Sequence, residues 1–255
     1  MKISIITATY NRGYIIKDAI ESVLKQKYKN YEYIIVDGKS KDNTVDILKE
    51  YEPRFEGRMR WISEPDKGLY DAINKGIRMA TGDVVGIINS DDFFHRDDTF
   101  DVIAHAFEDT SVEAIYADDL ELDVEHPGKG TWRYSDAYFR RWMYRIGLMP
   151  SHPTFYGKKG IFENYGLYKT DYKIAADFEL MLRMFYVHRV PCKYVPEAIM
   201  TFRTGGVSTS WKNKLLLNRE TLRACKENGL YCCTPLIMLK YLFKLKQIFK
   251  SVIRS

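Results

Sequence analysis

The chain has 255 residues, of which 45% are hydrophobic and 29% charged; this excludes an intrinsically disordered protein and allows one large α/β domain or one domain with an appended segment. The net charge of +5 favours an anionic surface or substrate and is too mild for us to expect a nucleic-acid partner. The 4 cysteines lack both the spacing of a zinc site and the density of a disulfide scaffold, which indicates reduced thiols.

The first half of the chain alternates short apolar runs with amphipathic helical patterns. Strands are predicted over residues 3–7, 33–36, 60–63 and 84–88, and helices between them over 15–26, 45–51 and 69–80. Strands that alternate with helices of this length indicate a parallel sheet with right-handed crossovers. Because the first residues do not form a signal peptide, we expect the chain in the cytoplasm.

The second half of the chain departs from this alternation. An antiparallel hairpin is predicted over 121–134 and an extended, proline-punctuated segment over 149–156. The other predicted elements are helices over 99–107, 159–164, from 177 onwards and over 212–228, strands over 114–116, 193–195 and 198–203, and a Gly/Ser loop over 204–210.

Two adjacent acids follow the fourth predicted strand. The segment from Asn89 to Asp92 reads N-S-D-D, and in an open parallel sheet ligands bind just beyond the carboxyl ends of the strands. Adjacent carboxylates at such a place commonly bind a divalent cation. The alternative is that Asp91 and Asp92 cap the N-terminus of the next helix.

Six short motifs occur in order along the chain: T-A-T-Y-N-R at 7–12, D-G-K-S-K-D-N-T at 37–44, E-P-D-K-G at 64–68, A-T-G-D at 80–83, N-S-D-D at 89–92 and A-D-F-E at 176–179. Together they resemble family 2 glycosyltransferases with a GT-A fold, especially the small enzymes of bacterial surface-polysaccharide assembly. The resemblance implies a Rossmann-like α/β fold, with a mostly parallel central sheet flanked by helices. It covers residues 1–210, with a nucleotide-sugar-binding half at 1–118 and an acceptor-binding half at 119–210, and leaves a C-terminal helical extension at 211–255.

The resemblance implies transfer of a sugar, with inversion, from a nucleotide-sugar to a polyprenyl-linked glycan, with Mn²⁺ or Mg²⁺ as cofactor; we interpret the donor as UDP-linked. Asp91 takes the metal-binding position of the D-x-D motif, with the uncharged Asn89 at its first position. The residues implied for the nucleotide-sugar are Thr7, Ala8, Thr9, Asn11, Asp37, Asp66, Lys67, Asn89, Ser90 and Asp91. The alternatives are an ordinary Asx turn for Asp37 and a solvated loop for Asp66 and Lys67.

The resemblance also gives the role of catalytic base to Asp177. An inverting transfer needs a base that takes the proton of the acceptor hydroxyl. On a helix Glu179 lies about 200° from Asp177, so only one of the two can face the sugar, and we interpret Glu179 as a solvated charge. The alternative for Asp177 is a plain N-cap.

Three further features are candidate parts of the site. His152 is predicted to be a third metal ligand or an acceptor contact, with a hydrogen-bonded structural histidine as the alternative. Arg203 and the Gly/Ser loop after it are predicted to close over the diphosphate, unless that loop is an ordinary glycine turn. The aromatic residues between Trp132 and Tyr144 pack in the core or stack on a sugar acceptor.

The C-terminal segment 236–255 contains Lys240, Lys244, Lys246, Lys250 and Arg254 and no acid. Five cations exclude a membrane-spanning helix and favour a helix in the interface, so we expect peripheral contact with the inner face of the cell membrane. The alternative is packing on its own domain or in a homo-oligomer. Two other functions stay open: a nucleotidyltransferase, although residues 8–13 lack its usual glycine- and arginine-rich loop, and a non-catalytic nucleotide- or carbohydrate-binding subunit.

Overall fold

The computed structural model describes residues 1–122, 131–203, 211–241 and 243, and it contains an eight-stranded sheet with helices on both faces. The strands are β1 (Ile3–Thr9), β2 (Tyr31–Asp37), β3 (Met59–Ser63), β4 (Val84–Ile87), β5 (Ala114–Leu122), β6 (Thr131–Tyr134), β7 (Tyr156–Lys158) and β8 (Cys192–Arg203). The helices are α1 (Ile16–Leu24), α2 (Thr44–Tyr51), α3 (Leu69–Met79), α4 (Thr99–Ala106), α5 (Lys159–Tyr165), α6 (Ala176–Leu182), α7 (Trp211–Glu227) and α8 (234–241).

The strands lie in the order β3-β2-β1-β4-β7-β5-β6, and β8 pairs with β5. β1 to β4 are parallel, β7 runs antiparallel between β4 and β5, and β8 is parallel to β5. The prediction of an α/β fold with a mostly parallel sheet is confirmed. The carboxyl ends of β1 to β4 therefore lie at one edge of the sheet.

Alternate residues of the central strands pack on opposite sides of the sheet, since side chains along a strand have a period of two. In β1, Ile3 and Ile5 belong to the core formed with α1, α2 and α4, whereas Ile6 belongs to the core formed with α3 and α6. Gly86 in β4 lies against Tyr156 in β7, where a Cβ would come within 2.0 Å of the ring. A core packed this closely holds the strand ends rigidly and supports the loops beyond them.

Three segments differ from the sequence prediction. The strands predicted over 193–195 and 198–203 form one strand, β8, whose pairing with β5 shifts register near Asp118. The segment predicted to be extended contains a turn of 3₁₀ helix at His152–Thr154. The strand predicted over 114–116 continues to Leu122, because it also pairs with β6 in the predicted hairpin.

Parts of three predictions lie outside the described residues: the hairpin turn at 126–130, the Gly/Ser loop at 204–210 and the segment beyond Phe243. Of the described helices, none is both long and apolar enough to cross a lipid bilayer. The start of the predicted membrane segment needs a correction, because Ile237 is buried and the buried Lys240 donates to Asn218 of α7 at 2.6 Å. Packing on α7 thus removes one of the five cations from the surface.

Candidate functional site

The carboxyl ends of β1, β2 and β3 lie side by side, because the register pairs Thr9 with Asp37 and Asp37 with Ser63. β4 lies on the other side of β1, and the Ile88 N–H donates to the Ile6 carbonyl at 3.0 Å. The four loops that carry the predicted donor-binding residues therefore begin at one edge of the sheet.

The loops after β1 and β2 are joined by hydrogen bonds. The Asn11 side chain accepts the Lys41 N–H at 2.8 Å, and the Asn11 N–H donates to the Ser40 hydroxyl at 2.7 Å. The Asp37 carboxylate accepts the Ser40 N–H at 3.0 Å and the Ser63 hydroxyl at 2.6 Å. The Asp37 carboxylate thus bonds groups three residues on in its own loop and on β3, and it fixes the loop to which the nucleotide is predicted to bind.

The surface around Gly38 combines polar groups with an exposed aromatic ring. The Gly38 N–H donates to the Thr9 carbonyl at 2.8 Å, and a Cβ at Gly38 would lie 2.5 Å from the Asp66 carboxylate and 3.4 Å from the Tyr10 ring. The Thr9 hydroxyl is buried and has no hydrogen-bond partner among the described residues, whereas Tyr10 is 53% exposed. The Asp66 carboxylate and the exposed Tyr10 ring near Gly38 suit a nucleobase, which needs both hydrogen-bond partners and a stacking surface.

Three other predicted donor contacts have different surroundings. The buried Thr7 hydroxyl donates to the Ile88 carbonyl at 2.9 Å, so it links β1 to the end of β4 inside the sheet. Ala8 is half-buried and packs against the core. Lys67 is exposed, and its N–H donates to Asp71 at 3.0 Å at the start of α3. Of these three residues, Lys67 alone presents a charge to solvent.

The segment after β4 forms a compact turn. The Asn89 side chain donates to the Asp92 carboxylate at 2.8 Å, and the Asp92 N–H donates to the Asn89 carbonyl at 3.2 Å. Ser90 and Asp92 are buried, whereas Asp91 is half-buried. Helix α4 begins only at Thr99, so the alternative in which Asp91 and Asp92 cap a helix is excluded.

The Asp91 carboxylate is open to a cation. No donor in the described part of the chain hydrogen-bonds it, and burial together with the charge of Asp91 raises the pKa of Asp92 to about 7. The described residues contain no group of three His, Cys, Asp or Glu side chains that could hold a metal ion. One or two carboxylates nevertheless suit Mg²⁺, because substrate phosphates and water supply its remaining oxygen ligands. The residues present therefore fit a divalent ion shared with a diphosphate.

Arg203, at the end of β8, reaches this turn. Its guanidinium donates to the Asp91 carbonyl at 2.7 Å and to the Asp18 carboxylate of α1 at 2.5 Å. It also lies 4.9 Å from the centre of the Phe93 ring. A fixed cation thus stands beside the two acids, while the 204–210 loop that the prediction joins to it lies outside the described residues.

Asp177, the predicted base, is the second residue of α6 and is half-buried. Its carboxylate accepts the Phe178 N–H at 2.7 Å and lies beside Tyr70, in the first turn of α3, which lowers its pKa. Because α3 directly follows the Asp66 loop, Tyr70 connects the predicted base to the edge of the sheet where the donor is predicted to bind. Burial raises the pKa of Asp177 to about 6. Such a carboxylate is deprotonated at neutral pH and still takes up a proton readily.

The sequence matches the model of the family described as glycosyl transferase family 2 over residues 4–166. The chain belongs to this family. This glycosyltransferase is 26% identical over 218 residues to a PGL/p-HBAD biosynthesis glycosyltransferase of Mycobacterium bovis, a match that covers 85% of this chain and 82% of the relative. It is 32% identical over 188 residues to an uncharacterized glycosyltransferase of Mycobacterium tuberculosis, covering 71% of this chain and 68% of that one.

Solved structures share the fold of the glycosyltransferase. TarS of S. aureus, residues 1–349 in complex with UDP-GlcNAc, gives a TM-score of 0.69 at 18% identity and covers 91% of this chain and 68% of that one. The mannosyltransferase PcManGT of Pyrobaculum calidifontis, in complex with GDP-Man and Mn²⁺, gives a TM-score of 0.67 at 16% identity. That match covers 92% of this chain and 66% of PcManGT. A match to a longer TarS chain covers 91% of this chain and 41% of the TarS chain. The predicted GT-A fold and family are confirmed, and the neighbours bind nucleotide-sugars.

A group of contacting side chains that the sequence did not reveal lies between His152 and the predicted base of the glycosyltransferase. His152 is buried, its Nε2 lies 2.7 Å from the Tyr168 hydroxyl, and burial lowers its pKa to about 4. Tyr168 stacks on Tyr70 at 5.8 Å, and Asn74 exchanges hydrogen bonds of 2.8 and 3.0 Å with the Tyr168 backbone. The sequence signal is Asn74 itself, a polar residue on the apolar stripe of α3. The role of His152 as a metal ligand stays a prediction.

Glu179 differs from its sequence-based interpretation as a solvated charge. It is fully buried and pairs with Arg183 at 2.9 Å and with Lys169 at 3.0 Å. Burial raises its pKa, but hydrogen bonds from these two cations more than offset that and hold the pKa below its usual value. Ala175, rather than Asp177, is the N-cap residue of α6. Of the two acids in this helix, one is thus an internal ion pair and the other is available at the site.

Proposed function

We propose that the chain is an inverting, metal-dependent glycosyltransferase that moves a sugar from a UDP-linked donor to a hydroxyl of a lipid-linked glycan in surface-polysaccharide assembly. The observation that carries this proposal is the contrast between two carboxylates. Asp91 is open beside a buried acid at the end of β4, and Asp177 has a raised pKa against α3. The first suits a cation with a diphosphate, and the second suits proton abstraction.

The donor binds at the carboxyl edge of β1 to β4. Its nucleobase lies beside Gly38, where Thr9 and Asp66 supply hydrogen-bonding groups and Tyr10 a stacking face. Asp37 keeps this loop in place through Ser40. An orphaned buried hydroxyl supports this assignment, because a ligand that bonded it would remove an energetic penalty of about 1–3 kcal/mol.

Asp91 holds the divalent ion, with Asp92 and Asn89 beside it. When bound, Mn²⁺ or Mg²⁺ offsets the repulsion between these acids and the diphosphate and stabilises charge on the departing nucleotide. Two unit charges about 4 Å apart repel by roughly 4 kcal/mol at an effective dielectric constant near 20, so the acids alone would reject the donor. The guanidinium of Arg203 adds a positive group on the same side.

Asp177 takes the proton of the acceptor. The acceptor oxygen bonds the anomeric carbon on the face opposite the diphosphate, the bond from that carbon to the nucleotide breaks with its electron pair, and the configuration inverts. The proton passes to the Asp177 carboxylate, which Tyr70 and the Phe178 N–H hold in place. General-base catalysis of this kind contributes about 10²- to 10⁴-fold.

The acceptor approaches through residues 119–210, and the C-terminal segment 211–255 brings the enzyme to the inner face of the membrane. Tyr138 and Trp142 are 56% and 50% exposed, so part of each ring lies at the surface where a sugar would stack, whereas Tyr144 is buried in the core. Exposed apolar side chains near the C-terminus support contact with a lipid surface: Met238, Leu239 and Phe243 are 51%, 40% and 39% exposed.

Calorimetric titration with UDP, with and without Mn²⁺, tests this function. Asp91→Ala should lose the gain in UDP affinity that Mn²⁺ provides, whereas Asp177→Asn should bind UDP normally but release at least about a hundredfold less UDP from UDP-glucose, UDP-galactose or UDP-GlcNAc. Asp46→Ala, an acid 80% exposed on α2, is the control. Full turnover by Asp177→Asn refutes the base, and an unchanged Mn²⁺ response in Asp91→Ala refutes the metal site.

A further inference from the structure

Glu220, on α7, binds the backbone just before the proposed base. Its Oε1 accepts the Lys173 N–H at 2.8 Å, and its Oε2 accepts the N–H groups of Ile174 and Ala175 at 3.0 Å each. Asp177 is the second residue after the last of these. One carboxylate of α7 is therefore joined to the whole segment that leads into α6.

The surroundings of Glu220 make this connection rigid. Glu220 is 7% exposed, and a buried carboxylate is stable only where hydrogen bonds or charges satisfy it. The N–H groups of residues 173–175 precede the first turn of α6 and take no part in its helical hydrogen bonds, so three bonds to one anion fix the chain there. α7 is itself held in place, because Ala224 and Cys225 are fully buried in the core.

We propose that Glu220 is a positioning residue that orients Asp177 by holding the backbone of residues 173–175. This role rests on the proposed function of Asp177 as the base. It extends the site to α7, which lies beyond the residues 4–166 that match the family.

The negative charge of Glu220 gives this role a measurable signature. Asp177 is faced by Tyr70 from α3, by Glu220 from α7 and by Tyr168 from the segment between α5 and α6. Burial raises the pKa of Asp177, and the charge of Glu220 raises it further, whereas the Phe178 N–H and Tyr70 lower it. Removal of that charge lowers the pKa of Asp177, so the base stays deprotonated to lower pH.

The pH profile of Glu220→Gln tests the proposal. In the wild type, UDP release from a UDP-sugar at saturating donor and Mn²⁺ should fall below about pH 6, as Asp177 takes up a proton. In Glu220→Gln this fall should move to lower pH by about half a unit, because a nearby negative charge is gone. The kcat should decrease at least about tenfold, since the base is misplaced, while the KM for the donor stays unchanged.

Glu227→Gln is the matched control on the same face of α7. Glu227 bonds Lys169 and the Tyr172 hydroxyl, at 2.9 Å each, and so contacts the same segment without holding its 173–175 N–H groups. We expect its pH profile and kcat to match the wild type. A purely structural effect of α7 would lower the amount of folded enzyme without moving the profile.

Glu220→Asp provides a second test, because it keeps the charge but is shorter by one methylene. Its profile should stay at the wild-type pH while kcat falls. An unmoved profile in folded Glu220→Gln overturns the proposal, and if that variant does not fold, a wild-type kcat in Glu220→Asp overturns it. Turnover by Asp177→Asn would instead refute the base itself, which is a separate outcome.

Discussion

Asp177 and Glu179 lie two positions apart in α6, yet their surroundings shift the pKa values of their carboxyl groups in opposite directions. Burial raises the pKa of Asp177 to about 6, whereas Arg183 and Lys169 outweigh the burial of Glu179 and hold its pKa low. Titratable groups whose pKa values are driven apart commonly have different roles. Here one carboxylate is the proposed base, and the other is part of the scaffold that holds it.

The contact between Gly38 and Asp66 offers a test of the donor site at the level of one methyl group. A Cβ at residue 38 would lie 2.5 Å from the Asp66 carboxylate, so Gly38→Ala must displace that side chain. We expect the Kd for UDP in the presence of Mn²⁺ to rise about tenfold, which corresponds to about 1.4 kcal/mol. Calorimetric titration measures this change.

Gly160→Ala is the control for this substitution. Gly160 lies in α5, and a Cβ there would meet no atom within 4 Å, so UDP affinity should be unchanged. If Gly38→Ala also binds UDP like the wild type, the nucleobase does not bind beside Asp66.

At the scale of the elements, Arg183 joins α6 to the end of α5. It pairs with Glu179 within α6 and donates to the carbonyls of Tyr165, Gly166 and Leu167. The last carbonyls of a helix have no partner within the helix, and a guanidinium supplies the missing donors. The base therefore lies on a helix that is fixed at its far end by Arg183 and at its start by Glu220.

Removal of this guanidinium should destabilise the fold. Arg183→Met leaves the buried Glu179 without its nearest cation, and we expect the free energy of unfolding to fall by about 3 kcal/mol, because half of a buried ion pair remains. Urea denaturation measures the difference.

Lys159→Met is the corresponding surface change. Lys159 and Glu163 have the same i,i+4 spacing, but their side chains lie 3.6 Å apart and are 33% and 64% exposed, so their loss should cost less than about 0.5 kcal/mol. An equal loss in the two variants would mean that the buried pair contributes nothing beyond an exposed one.

At the scale of the whole molecule, an apolar surface near the C-terminus is followed in the sequence by a run of cations. Met238, Leu239 and Phe243 are exposed, and Phe243 packs edge-on against the half-exposed Trp142 at 6.3 Å. Four cations, Lys244, Lys246, Lys250 and Arg254, follow in the sequence. Apolar side chains next to cations suit a membrane that carries anionic lipid.

Deletion of residues 244–255 tests this surface and leaves the packed Ile237 and Lys240 in place. Each basic residue contributes about 1 kcal/mol at an anionic membrane, so binding to phosphatidylglycerol vesicles should weaken at least about tenfold. Flotation with vesicles measures the bound fraction.

The variant with all four of these cations replaced by glutamine keeps the chain length and separates charge from length. It should lose at least about tenfold in binding to anionic vesicles, and its binding to phosphatidylcholine vesicles should match that of the wild type. Unchanged binding of the deletion to anionic vesicles would contradict membrane contact through this segment.

The sequence by itself determined the α/β class, the order of the first four strands and helices, and the family. Each of these follows from local patterns: a period of two or a buried run for β1 to β4, a period of 3.6 for the helices, and short motifs at the strand ends. The positions of Asp37 and Asp91 at one edge of the sheet also followed, because parallel strands bring their carboxyl ends together.

The tertiary structure alone decided which side chains surround the proposed base. Glu179 is an ion pair because α6 packs against Lys169, and Glu220 reaches the 173–175 backbone because α7 packs beside α6. Lys240 is buried for the same kind of reason, since α8 lies on α7. These contacts join residues between 10 and 47 positions apart, and no local pattern records them, because burial and charge pairing depend on how helices pack rather than on the residues within one helix.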